Sequence, residues 1–166
     1  MHSLDIILRH PRAYFRRAVA FTFVELLIVI ALGLTLAAIA VPMYSNYVHD
    51  ARIFKATVDI RLIEKAIEQY ERDNGILPSS LDQILHLIEI DKPDPWGMQY
   101  RYLKIAGVKN PKGERKDKFL VPLNNDYDLY SMGEDMDTQA PLTAAKALDD
   151  IIRAADGEYV GLASGF

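Results

Sequence analysis

The chain has 166 residues, half of them apolar, no cysteine and a formal net charge of −4 at pH 7. That length suits one modest domain plus one long helix, and there is no internal repeat or low-complexity tract. Without cysteine no disulfide can form, so a domain outside the cytoplasm must be held by its core, by a metal or by its neighbours.

The first twenty residues carry Arg9, Arg12, Arg16 and Arg17 against Asp5, a net of +3 that leaves −7 on the remainder. No electrostatic footprint for nucleic acid is present, since that needs a basic face. Phe21 to Val41 then reads FTFVELLIVIALGLTLAAIAV, and its only charge is Glu25. About 20 apolar residues in a helix cross the hydrocarbon core of a bilayer. The arginines precede this run and Asp50 follows it, so the positive-inside rule puts the N-terminus in the cytoplasm and the C-terminal domain outside. Ala18-Val19-Ala20 has the small residues of a secretory cleavage site, but in a secretory signal the apolar region comes first. Here the order is inverted.

Ala20-Phe21-Thr22-Phe23-Val24-Glu25-Leu26-Leu27-Ile28 resembles the type IV prepilin signal. The resemblance implies cleavage between Ala20 and Phe21 by a prepilin peptidase, followed by methylation of the Phe21 amine. Glu25 falls on the family's fifth mature position and Pro42 on its twenty-second, while Ala20 stands where the family prefers Gly. By position alone Glu25 has two readings. It is a functional ionisable group in a membrane segment, or an interfacial one favoured near a helix N-terminus. The resemblance adds a partner, the Phe21 amine of a neighbouring subunit, whose charge would offset the desolvation of the carboxylate.

Beyond Pro42, Tyr47, Ala51, Phe54, Val58, Leu62, Ala66 and Tyr70 recur at three- and four-residue spacing between charged positions. This predicts an amphipathic helix with that face against a domain. Asn74-Gly75 predicts its left-handed end, with Pro78 beyond. One helix from Phe21 to Asn74 would be about 80 Å long, kinked or locally broken at Pro42. Ser80-Leu81-Asp82-Gln83 reads as a capping box opening a short second helix to about Ile88. Asp94-Pro95-Trp96-Gly97 reads as a turn. Strands are predicted at Gln99–Ile105, Lys118–Val121 and Tyr127–Ser131, with Gly107–Asp117 as a solvated loop.

Asp94-Pro95-Trp96-Gly97-Met98-Gln99-Tyr100 and Tyr127-Asp128-Leu129-Tyr130-Ser131-Met132-Gly133 are similar to the DPWGxxY and YDLYSLG elements of the major pseudopilins of type II secretion. The resemblance implies an α+β, type IV pilin-like fold, in which a long N-terminal helix packs on a small antiparallel sheet. Residues 1–20 would be a cytoplasmic leader, 21–43 the transmembrane half of the helix, and 44–166 a periplasmic domain. It implies a single-pass inner-membrane subunit that polymerises with its own copies. Its further partners would be minor pseudopilins, an assembly ATPase, an inner-membrane platform and an outer-membrane channel. A surface pilin for adhesion, motility or DNA uptake is the alternative within the class, and the two elements and the lack of cysteine weigh against it. A module that is anchored but never polymerises would tolerate neutralisation of Glu25. An anchored enzyme finds no support: His2, His10, His49 and His86 are scattered, and no GxSxG, HExxH or phosphate loop occurs.

After the last of these elements come Glu134, Asp135 and Asp137, then Asp149 and Asp150. By composition this is a solvated acidic loop or a calcium site, since calcium takes several oxygen ligands. The DxDxDG pattern of an EF-hand is absent. The resemblance implies structural calcium, held by the Met132 carbonyl, Asp135, Asp149 and Asp150. The longer segment Glu134–Leu148 departs from the family's short glycine-rich loop, and Met136 replaces its usual Gly.

Overall fold

The computed structural model describes residues 21–87 and 92–166. The leader and the predicted helix end at Ile88 lie outside the described residues. Two compact units meet in the sequence at Met43 and Tyr44, and α1 (Phe23–Asn74) contributes to both. In the first unit Glu25 and Thr35 are the only polar side chains of the helix, and its apolar side chains are exposed. A helix suits lipid because it satisfies its backbone groups internally. Pro42 lies inside α1, which continues through it. The ring removes one donor and the neighbouring turns carry on.

In the second unit the last part of α1 packs against a four-stranded antiparallel sheet in the order β1-β2-β3-β4. The strands are β1 (Arg101–Lys104), β2 (Tyr127–Ser131), β3 (Ile151–Ala154) and β4 (Tyr159–Leu162). Tyr102 faces Leu129 across β1 and β2, Tyr130 faces Ile152, and Ile152 faces Gly161. Successive side chains on a strand point to opposite faces. Tyr127, Leu129 and Ile151 therefore meet Ala56, Ile60, Ile63 and Ile67 of α1. Ile152 and Ala154 instead form a second cluster with Leu123, Leu142 and Ala163. Every residue of β3 is buried.

Several sequence expectations are corrected. The buried stripe of α1 runs through Ala56, Ile60, Ile63, Ala66 and Ile67, whereas Tyr47, Phe54, Val58 and Leu62 are exposed. The helix has two apolar stripes, and the spacing rule registers a stripe without saying what covers it. Segment 118–121 forms no strand, and Phe119 there is 92 % exposed. The second helix is a pair of 3-10 turns, Leu81–Gln83 and Leu85–Leu87. Ser80 caps nothing there, and Gln83 reaches instead to the Ser79 amide at 2.7 Å. The loop after β1 is not solvated throughout, because Arg115 is buried.

The predicted end of α1 is found: Gly75 has φ +73° and its amide donates to the Glu71 carbonyl at 2.7 Å. β3 and β4 were not anticipated, although Asp156-Gly157 between two apolar runs is a hairpin signal. The connection spans residues 155–158, and Ala155, Asp156 and Gly157 in it all adopt positive φ.

Candidate functional site

Two places concentrate the predicted site residues. At the N-terminus of α1 the sequence Thr22-Phe23-Val24-Glu25 folds as a capping box. The Thr22 amide donates to Glu25 Oε2 at 2.9 Å, and the Glu25 amide donates to Thr22 Oγ1 at 3.2 Å. The Thr22 hydroxyl also donates to Glu25 Oε2 at 2.8 Å. This satisfies donors that a helix start leaves without intrahelical partners. Within one subunit Thr22 is therefore the helix cap and Glu25 the carboxylate that reaches back to it, a pattern the sequence carried as T-x-x-E. Phe21 is exposed, and Ala20 lies outside the described residues.

The second place is built from two motifs that fold onto each other. Asp94 is buried and organises its own turn: Oδ1 accepts the amides of Trp96 at 3.0 Å and Met98 at 2.8 Å. Its other oxygen accepts the hydroxyl of Ser131, at the end of β2. The DPWG turn and the DLYSMG strand are thus one hydrogen-bonded unit. The chain leaves β2 through Gly133 at φ +68°, where a Cβ would run into the Asp149 carbonyl. Only glycine permits that approach.

The acidic residues beyond it do not converge as the resemblance implied. Asp149 Oδ2 accepts the amides of Glu134 at 2.8 Å and Asp135 at 3.0 Å. Asp135 is exposed, and its Oδ1 accepts the Asp137 amide at 2.8 Å. Met132 is buried. Asp150 has no exposed surface; its Oδ2 accepts the Thr138 hydroxyl at 2.6 Å and an Nη of Arg115, which is also buried. Burial pushes the Asp150 carboxyl up to about 6, against the pull of Thr138 and Arg115 in the other direction. Among the described residues no three His, Cys, Asp or Glu lie together so as to hold a metal. Asp150 Oδ1 is buried without a donor, but a cation drawn to it would face the guanidinium on the same carboxylate. The donor set therefore does not fit calcium, which needs several oxygens turned to one point.

A further cluster escaped the sequence reading. Arg153 of β3 donates to Glu64 of α1 at 2.8 Å, to both oxygens of Asp126 at 2.8 and 2.7 Å, and lies 4.1 Å from the Tyr127 ring centre. Arg61 joins Glu64 at 2.8 Å and the Gly157 carbonyl at 2.7 Å. This network pins the β3–β4 hairpin to the helix.

The family model for type II secretion system protein G matches residues 43–146, the span that holds both motifs. The chain belongs to the type II secretion system protein G family. The type II secretion system core protein G of Pseudomonas aeruginosa is 29 % identical over 140 residues, covering 72 % of this chain and 86 % of the relative. That of Vibrio cholerae is 30 % identical over 107 residues, 53 % of this chain and 72 % of its own. That of Escherichia coli is 30 % identical over 114 residues, 69 % and 72 %. No solved structure matches. Membership of the protein G family agrees with both motifs and with a long apolar N-terminal helix followed by an antiparallel sheet. It is a family of structural pseudopilins rather than of enzymes.

Proposed function

We propose that the chain is a structural subunit of a type II secretion pseudopilus, stored in the inner membrane and polymerised with copies of itself to drive protein export. The observation that carries the reading is the second stripe of α1: among the described residues Tyr47 and Phe54 are largely exposed, and Val58 and Leu62 partly so. Large exposed apolar side chains at helical spacing are costly in water and mark a surface meant for a partner. The apolar residues 23–43 serve first as a membrane anchor, with the N-terminus cytoplasmic and residues 44–166 periplasmic.

On this reading a prepilin peptidase cuts between Ala20 and Phe21 and the new amine is methylated. Glu25, held by Thr22 within the subunit, pairs with the Phe21 amine of a neighbour in the filament. Minor pseudopilins, an assembly ATPase, an inner-membrane platform and an outer-membrane channel complete the machine. The absence of cysteine and the paired DPWG and DLYSMG elements favour this over a surface pilus.

The test is overproduction with the secretion machinery, followed by shearing and microscopy. Glu25→Ala and Phe54→Glu should both reach the membrane fraction, because one removes a charge from an apolar run and the other alters an exposed position. Neither should yield filaments. Wild-type quantities of filament from both variants would reject assembly through α1.

A further inference from the structure

We propose that the guanidinium of Arg115 is the cation that closes the C-terminal loop of this chain, and that the order of this loop does not depend on divalent ions. The inference takes only its comparison with calcium from the pseudopilin reading. Its readout is domain stability, so it can fail or hold independently of filament assembly.

The placement of Arg115 is the first argument. It comes from the segment between β1 and β2, and its backbone is fixed at both ends. Its amide donates to Asp128 Oδ2 at 2.6 Å, and its carbonyl accepts the Leu123 amide at 2.8 Å. The guanidinium lies 4.5 Å from the Tyr130 ring centre on β2. From there it donates to Thr138 in the long loop and to Asp150 at the entry to β3. One side chain joins three stretches of chain that a bound ion would otherwise have to gather.

Charge is the second argument. Asp150 is wholly buried, and an ionised carboxylate there needs an adjacent cation and hydrogen-bond donors. Arg115 supplies the charge and Thr138 a further donor. Every other carboxylate of the loop also has a partner within the chain. Glu134 faces His49 at 3.2 Å and Arg52 at 3.9 Å. Asp137 pairs with Lys146, and Asp149 holds the Glu134 and Asp135 amides. Asp135 accepts the Asp137 amide at 2.8 Å. Thr138 and Lys146 both belong to the segment by which this chain departs from the short glycine-rich loop. The longer loop brings its own counter-charges and donors.

The experiment melts the full chain in detergent, followed by near-ultraviolet circular dichroism, in millimolar calcium and in excess chelator. The wild-type midpoint should be the same in both. Arg115→Gln should lower it by about 10 °C, the scale expected when one buried charge loses its partner. The double variant Arg115→Gln/Asp150→Asn should recover most of that loss, because a neutral amide needs no cation. If Arg115→Gln does not accumulate, the double variant carries the test by accumulating. A wild-type midpoint raised by calcium would overturn the proposal and return the loop to a bound ion. An Arg115→Gln midpoint equal to wild type, or a double variant no more stable than the single, would overturn it as well.

Discussion

Arg153→Met is the substitution that tests how the sheet is held to the helix. Methionine keeps an unbranched apolar stem over the Tyr127 ring but removes the fork that reaches Glu64 and Asp126. Breaking one side of a buried ion pair typically costs about 3–5 kcal/mol. Two observations place this case at the lower end. The Asp126 side chain is 32 % exposed and can turn to water, and Glu64 keeps Arg61 at 2.8 Å. A loss of about 3 kcal/mol, at roughly 2–4 °C per kcal/mol for a chain of this size, lowers the midpoint by about 10 °C. The control is Lys55→Ala, which removes an exposed i,i+4 partner of Asp59. Such pairs are worth less than about 1 kcal/mol, and Asp59 retains the Tyr100 hydroxyl at 2.9 Å. Thermal melts of both variants and the wild type in detergent give the comparison. If Arg153→Met melts no lower than Lys55→Ala, the network is ornamental and packing alone holds the sheet on α1.

Two more outcomes follow from single contacts. Gly133→Ala combines a left-handed φ with a Cβ driven into the Asp149 carbonyl, whereas Gly113→Ala meets only its positive φ in open space. Denaturant titration should show Gly113→Ala losing about 1 kcal/mol and Gly133→Ala clearly more, and equal losses would deny the close approach of the loop to Asp149. Ser131→Ala leaves one oxygen of the buried Asp94 without its hydroxyl donor, at a cost of about 1–3 kcal/mol. Hydrogen exchange at the Trp96 and Met98 amides, both bound by Asp94, should quicken in that variant, and unchanged exchange would sever the two motifs.

What the sequence made legible follows from how local each signal is. The apolar run, the helix end at Asn74-Gly75 and the turn at Asp94–Gly97 depend on neighbouring residues, and each is found. β2 was read at its observed bounds because YDLYS combines β-favouring residues with a following glycine. β3 and β4 were missed for two different reasons. Ile151–Ala154 is buried on both faces and shows no alternation, and Tyr159–Leu162 is short with a glycine inside. The predicted stripe on α1 joins two faces: Ala66 is buried and Tyr70 packs against the core, while its earlier members are exposed. Tyr47, Phe54, Val58 and Leu62 satisfy the same periodicity as Ile60, Ile63 and Ile67. A subunit that buries one face in its own domain and another against its copies carries two stripes, and a single chain's sequence does not say which is which.

The acidic loop shows the same limit in its chemistry. Its carboxylates are visible as a composition, and the calcium expected for them rests on resemblance alone. The group that faces Asp150 lies 35 residues earlier, inside a run of lysines, glutamate and aspartate that reads as a solvated surface. Nothing in KGERKDK distinguishes Arg115 from the lysines around it. Burial separates it, and that burial follows from the contacts of its backbone with Asp128 and Leu123. Arginine suits the position for a reason that lysine does not meet: its planar fork can reach Thr138 and Asp150 together while its face rests on Tyr130. Whether a carboxylate cluster recruits an ion or a side chain is decided by what the rest of the fold delivers to it. In this chain the delivery runs through the long segment after β1, so a longer acidic loop and a buried arginine belong to one design.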